Sequence, residues 1–258
     1  MRVNSAKERM LAGEPAFGFG LGLGSPAVAE LLSTTGVDFI LLDRQHGSWS
    51  DESTIAALTA MHAGTAVPMV RVLRNDYSLI GRALDEGFLG IVVPMVNTHE
   101  QAAAAAAACR FPPAGERSWG WGRARAYGDD YTDWVDRELF VAVQIETVQA
   151  VRNVEAIMAT PGIDGCWVGP GDLSLSLGFH PREMDERPEH RAALETVLAA
   201  CRDTGKIPGA ACRSVDDARD RASMGFRFIT AAADVTFLAD GAARALNELN
   251  EVRESVQR

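Results

Sequence analysis

Eight short apolar runs alternate with longer stretches of helical periodicity, and this alternation most tightly constrains how the chain can fold. The runs fall at 17–21, 39–43, 68–72, 90–96, 140–146, 165–168, 208–212 and 227–231. Helical patterns separate them at 25–35, 53–63, 79–87, 98–109, 148–159, 191–204 and 215–224, several opened by capping residues such as Ser25 before Pro26, Asn97 or Thr98, and Ser214. Eight βα units close into a barrel at about 250 residues, and the chain has 258. The expected fold is α/β: one domain over 1–258, a (β/α)8 TIM barrel with 235–258 as an extra C-terminal helix. The alanine-rich run 101–110 reads as a closely packed helix, because alanine has the highest helix propensity. The connection at 111–138, rich in glycine, aromatic residues and arginine, is too long for an idle loop and is expected to cover the site or a subunit contact.

Composition narrows the function. Hydrophobic residues at 47% and charged residues at 23% supply a large core and argue against disorder. A net charge of -10 repels phosphate backbones and anionic membranes, so neither nucleic acid nor membrane is an expected partner. The four cysteines show no metal-type spacing and read as reduced core thiols. The first residues lack the apolar centre of a signal peptide, which makes the cytoplasm the expected compartment.

Chemistry-bearing residues cluster at one structural address, the carboxyl ends of the apolar runs, which in a barrel form a single rim. Asp43 and His46 follow FILL, Arg71 follows PMV, Glu146 follows FVAVQI, and Asp172 follows CWV through Gly169-Pro170-Gly171. Glu146 and Asp172 offer hard oxygen ligands for a divalent cation such as Mg²⁺, Mn²⁺ or Co²⁺; either acid alone would equally serve as a helix cap. His46 reads as a packed rim histidine or as a general acid/base, with Asp85 or the nearer Asp43 as its orienter. Arg71 would stabilise a developing enolate or alkoxide, or else pair with a structural carboxylate. Arg74 and Arg82 are expected only to pair or face water. The alternating glycines of GFGLGLG fit neither a dinucleotide fold nor a Walker loop. Lys206 precedes the seventh run, at the wrong end of a barrel for a Schiff base.

The same residues lie in five ordered motifs, GSPAVAELLSTTGVDFILLDRQHG, PMVRV, ALDEGFLGIVVPMVNTHEQA, VQIETVQAVRNVEAI and GIDGCWVGPGDLSLSLG. Together they make the chain resemble the HpcH/HpaI class II pyruvate aldolases, metal-dependent barrels, along nearly its whole length. The resemblance implies that Glu146 and Asp172 bind the metal, His46 is the acid/base, Asp85 raises its basicity and Arg71 stabilises the transition state. It also implies that Gln144 and the backbone at Gly171 and Asp172 hold the substrate. The implied reaction is reversible aldol cleavage of a 4-hydroxy-2-oxo acid to pyruvate, or a related 2-oxo acid, and an aldehyde. The implied assembly is a homo-oligomer, a hexamer exchanging C-terminal helices. Two departures stand out: DRQH places Gln45 where the family commonly has an acid, and Arg117-Ser118 replaces an RG-type loop start. An oxaloacetate-type decarboxylase or citrate lyase-like enzyme would use the same groups, and a non-catalytic 2-oxo-acid-binding barrel is a third reading.

Overall fold

The computed structural model describes residues 3–120 and 122–256. Residues 1–2 and 257–258 of the expected domain, the last two of the expected C-terminal helix and Trp121 of the 111–138 connection lie outside the described residues. Within them, eight parallel strands form a closed barrel in sequence order: β1 Ala16–Leu21, β2 Phe39–Asp43, β3 Val67–Arg71, β4 Gly90–Val93, β5 Phe140–Ile145, β6 Gly165–Val168, β7 Gly209–Ala211 and β8 Phe228–Ala233. The helices are α1 Ser5–Leu11, α2 Pro26–Ser33, α3 Asp51–Ala60, α4 Tyr77–Glu86, α5 His99–Cys109, α6 Tyr131–Glu138, α7 Val148–Arg152, α8 Val154–Met158, α9 Pro170–Ser176, α10 Pro188–Thr204, α11 Val215–Met224 and α12 Asp234–Val256. The TIM-barrel expectation and the added C-terminal helix are therefore met.

Period-two alternation divides the strand side chains between two cores. Ile40, Leu42, Val70, Val141 and Ile229 face outward into the helix layer. Phe39, Leu41, Met69, Phe140, Trp167 and Phe228 fill the barrel interior. The ring of Phe228 lies 4.8 Å from Phe39 and 4.9 Å from Phe140, centroid to centroid. Glycine makes room for these bulky rings. A Cβ added at Gly18 would lie 2.1 Å from the Phe39 ring, so GFGLGLG owes at least this glycine to packing rather than to a phosphate. Gly18→Ala should lower stability by about 1–3 kcal/mol through overpacking, read as a lower urea midpoint at unchanged slope.

Some boundaries differ for local reasons. The fourth strand was expected to reach residue 96 but ends at Val93, because Pro94 has no N–H for the ladder and Met95 turns into the left-handed region at φ 56°. The helix expected at 148–159 breaks into α7 and α8 at Asn153, whose side-chain amide donates to the Asn97 carbonyl at 2.8 Å. An unexpected helix, α1, packs under the barrel. Asn4 donates through Nδ2 to the carbonyls of Leu89 and Glu138, and the Lys7 ammonium donates to the Leu139 carbonyl at 2.7 Å and pairs with Asp164 at 3.2 Å. Burial pulls the Lys7 pKa below the usual lysine value, partly offset by Asp164. All four cysteines are free thiols, and no helix among the described residues is long and apolar enough to cross a membrane.

From Gly122 onward the 111–138 connection turns away from the rim of its own chain. It forms a 3-10 turn at Gly122–Tyr127 and then α6. Its aromatic residues pack together, with Tyr131 and Trp134 ring centroids 5.4 Å apart, and the Tyr127 hydroxyl donates to the Gly87 carbonyl at 2.6 Å. Gly87 ends α4, which returns from the carboxyl end of β3 to the amino end of β4. This part of the connection is thus fastened toward the face opposite the rim, whereas the Glu116 carbonyl accepts the Tyr77 hydroxyl at 2.8 Å at the start of α4.

Candidate active site

The rim gathers two groups of side chains, one over β2 and β3 and one over β5 and β6. In the first, Asp43 ends β2 and Arg71 ends β3, in register with each other. Arg71 grips Asp43 with two hydrogen bonds, Nε to Oδ1 at 2.9 Å and Nη2 to Oδ2 at 2.5 Å. The backbone N–H groups of Gln45 and His46 also donate to Asp43 Oδ1, at 3.0 and 3.2 Å. Burial alone would raise the Asp43 pKa, but Arg71 and these two N–H donors outweigh it and hold the carboxyl below its ordinary value. The turn so formed leaves His46 exposed, and no side chain among the described residues hydrogen-bonds to its imidazole. Arg71 also lies over the Trp167 ring, 5.3 Å from its centroid, so the indole reaches from β6 toward β3 and floors the site.

The second group centres on Glu146, which is buried at 1% exposure. Its Oε1 accepts the Met95 backbone N–H at 2.8 Å, the donor delivered by that residue's left-handed turn. Its Oε2 accepts from Gln144 Nε2 at 2.5 Å. Burial raises the Glu146 carboxyl to about 7; the Met95 donor works against this, and the neighbouring charge of Asp172 adds to the rise. Arg71 pulls in the lowering direction, so its charge reaches across to this second group. Asp172 is exposed in the first turn of α9, beside Gly171. A Cβ at Gly169 would meet Gln144 Nε2 at 2.5 Å and Glu146 Oε2 at 2.7 Å, so only glycine leaves space for this pair.

The donor set fits a hard divalent cation. Burial, with the neighbouring Asp172 carboxylate adding to it, raises the Glu146 pKa, and the buried Gln144 Oε1 has no hydrogen-bond partner among the described residues. No third His, Cys, Asp or Glu completes a protein-only cage among those residues, which leaves coordination positions for a substrate.

Within one chain, Asp85 is not brought to His46. It lies in the last turn of α4, toward the opposite face, where Arg117 donates to it at 2.8 Å. Helices of a βα barrel run back against the strands, so a helix-end acid is carried away from the rim. Asp43, by contrast, holds the His46 backbone. Arg74 pairs with Asp76, and Arg82 pairs with Asp51 and Glu86, as expected of structural arginines. The Lys206 ammonium is spent on the Ile163 carbonyl at 2.6 Å, on the loop entering β6.

Sequence reasoning passed over Asp234. This buried acid opens α12 and accepts the backbone N–H groups of Gly22, Leu23 and Val235 at 2.9, 3.0 and 2.8 Å. It ties the β1–α2 loop to the end of β8. Its position directly after a strand is the signal that singled out the other rim acids. A cavity of about 310 Å³ lies between this tie and Arg71, with Trp167 and Thr230 in its lining.

A sequence model of the HpcH/HpaI aldolase/citrate lyase family matches residues 17–240. A hydroxypyruvate/pyruvate aldolase of Chromohalobacter salexigens is 38% identical over 92% of this chain and 94% of its own. A 4-hydroxy-2-oxo-heptane-1,7-dioate aldolase of Salmonella dublin is 36% identical over 93% of this chain and 92% of its own. Among solved structures, an HpcH/HpaI aldolase/citrate lyase family protein from Burkholderia cenocepacia superposes with a TM-score of 0.89 at 35% identity, covering 96% of this chain and 100% of its own.

Proposed function

Because the chain belongs to the HpcH/HpaI aldolase/citrate lyase family, we propose that it is a metal-dependent carbon–carbon lyase. It reversibly cleaves a 4-hydroxy-2-oxo acid to pyruvate, or a related 2-oxo acid, and an aldehyde. The observation that carries this reading is the pairing of the Glu146 and Asp172 carboxyls beside the Arg71–Asp43 pair on one rim. Glu146 and Asp172 would hold Mg²⁺, Mn²⁺ or Co²⁺, which when bound supplies Lewis-acid polarisation of a 2-oxo carboxylate.

The protein groups then divide the remaining work. The backbone N–H groups at Gly171 and Asp172, at the start of α9, receive the substrate carboxylate. Gln144 orients Glu146 through Nε2 and keeps Oε1 for the substrate or its water. Arg71, fixed in direction by Asp43 and Trp167, faces the negative charge that develops on the 2-oxo oxygen when the carbon–carbon bond breaks. His46, held in place through its backbone by Asp43, takes the 4-hydroxyl proton in cleavage and returns it in condensation. Asp85 contributes at a distance, by anchoring Arg117 and the connection that follows it. The working protein is a cytoplasmic homo-oligomer, a hexamer by family likeness, of one 1–258 domain per subunit. The exposed Leu246 and Leu249 of α12 supply apolar surface for that assembly.

Exchange of the pyruvate methyl protons with deuterated water, followed by NMR, tests the reading. Exchange should appear with Mg²⁺ or Mn²⁺ and vanish on chelation. Pyruvate binding without exchange would sink the aldolase assignment, and CO₂ release from oxaloacetate without aldehyde incorporation would replace it with a decarboxylase.

A further inference from the structure

We propose that the barrel carries a second binding site, on the face opposite the rim, and that it takes a small monocarboxylate with an apolar body. A cavity of about 360 Å³ lies where the chain enters β7 and β8, bounded by the ends of α1, α10 and α11. That volume falls within the range of small-molecule sites, about 300–1,000 Å³. The strands run the depth of the barrel between this cavity and the rim, so a ligand here leaves the Glu146–Asp172 site open. The site is therefore independent of the aldolase reading.

Charge sets this cavity apart. The protein has a net charge of -10, yet the lining holds Arg202, Lys206 and Arg227 and, among the described residues, no Asp or Glu. Two of these cations are partly committed: Arg202 Nε pairs with Asp203 at 3.2 Å, and Lys206 donates to the Ile163 carbonyl at 2.6 Å. Arg227 differs. Its backbone is fixed on both sides, the N–H donating to the Pro208 carbonyl at 2.9 Å and the carbonyl accepting from Ala16 at 2.7 Å. Its half-buried guanidinium has no hydrogen bond or ion pair among the described residues. Helix carboxyl ends attract cations, but each of the three helices already has one in its own last turn, Arg9 on α1, Arg202 on α10 and Arg221 on α11. Arg227 is a surplus positive charge in the lining.

The helix ends also decide the class of anion. Only carboxyl ends of helices reach this cavity, so a multiply charged oxyanion such as phosphate would meet backbone dipoles of the wrong sign and no cradle of helical N–H groups. One uncommitted guanidinium suits one carboxylate, which it can hold through two parallel N–H···O bonds. The rest of the wall is largely apolar, with Met10, Leu11, Leu198, Ile207, Pro208 and Met224 in it. Those side chains suit a hydrocarbon body and would leave a second carboxylate unpaired.

The test is calorimetric titration of the metal-free protein with hexanoate, hexan-1-ol and inorganic phosphate. Hexanoate should bind about tenfold or more tightly than either of the others. Arg227→Gln should weaken hexanoate by about tenfold, and Arg227→Lys should restore part of the loss. Leu11→Glu, at a position 66% exposed and so tolerant of a charge, should weaken it by repulsion while thermal melts stay near wild type. Glu146→Gln should leave hexanoate binding unchanged. Binding no tighter than that of hexan-1-ol, binding unchanged in both Arg227→Gln and Leu11→Glu, or binding lost in Glu146→Gln overturns the proposal. Phosphate binding more tightly than hexanoate overturns the ligand class.

Discussion

Glu146→Gln is expected to weaken divalent-cation binding and pyruvate binding together and to cut turnover by about 100-fold or more. The carboxyl is buried, fixed by the Met95 N–H and Gln144 Nε2, and pressed by Asp172, so an amide of the same shape keeps the packing and loses the charge. Calorimetric titration with Mn²⁺, with and without pyruvate, checks this; unchanged metal affinity would remove Glu146 from the ligand set. The same residue sets a pH dependence in metal-free protein. Its folded pKa, about 7, lies above the ordinary 4.5. The folded state therefore binds more protons than the unfolded state between those values, and stability present below 4.5 is lost as pH rises through about 7. Glu146→Gln should flatten that loss, and a divalent cation should reverse it in the wild-type protein. Thermal melts at several pH values, before and after chelation, read both effects.

His46→Ala should lower aldol turnover by about 10²–10⁴-fold while leaving metal-dependent pyruvate binding close to wild type. The imidazole is exposed beside the cavity, and its backbone rather than its ring is bonded to Asp43. Removing the ring therefore leaves the Arg71–Asp43 pair intact. Steady-state cleavage of a 4-hydroxy-2-oxo acid, set beside pyruvate binding, separates the two functions. Equal loss of binding and turnover would show that His46 organises the rim instead of moving a proton.

The barrel was legible because strand-length apolar runs and helix-length patterns have different periods, and the rim residues were legible because they end those runs. Asp85 shows the limit of such reading. In sequence it resembles an acid awaiting a partner, but its address is a helix end, which the return path of α4 carries to Arg117. The segment after Arg117 was legible only as a cover or a subunit contact, for another reason. Its glycines and aromatic residues do not announce where they pack, because Tyr131 and Trp134 are buried among neighbours only the folded barrel provides. Asp234 escaped notice because its partners, Gly22 and Leu23, are backbone donors more than two hundred residues away, with nothing in their identity to announce them.

That distance bears on how the chain reaches its native state. Contacts between β5 and β6, where Glu146 and Gly169 meet, close over short stretches of chain. The β1–α2 loop has one such partner, the Ser48 N–H that donates to the Gly22 carbonyl at 2.8 Å, but the rest of its fastening is distant in sequence. It is tied by Asp234, and β1 itself pairs with β8. Non-local pairings of this kind form late, because loop closure must precede any gain from the contact. During synthesis the half of the site that carries Glu146 can assemble while the half beside the β1–α2 loop is still open, waiting for the start of the last helix to emerge.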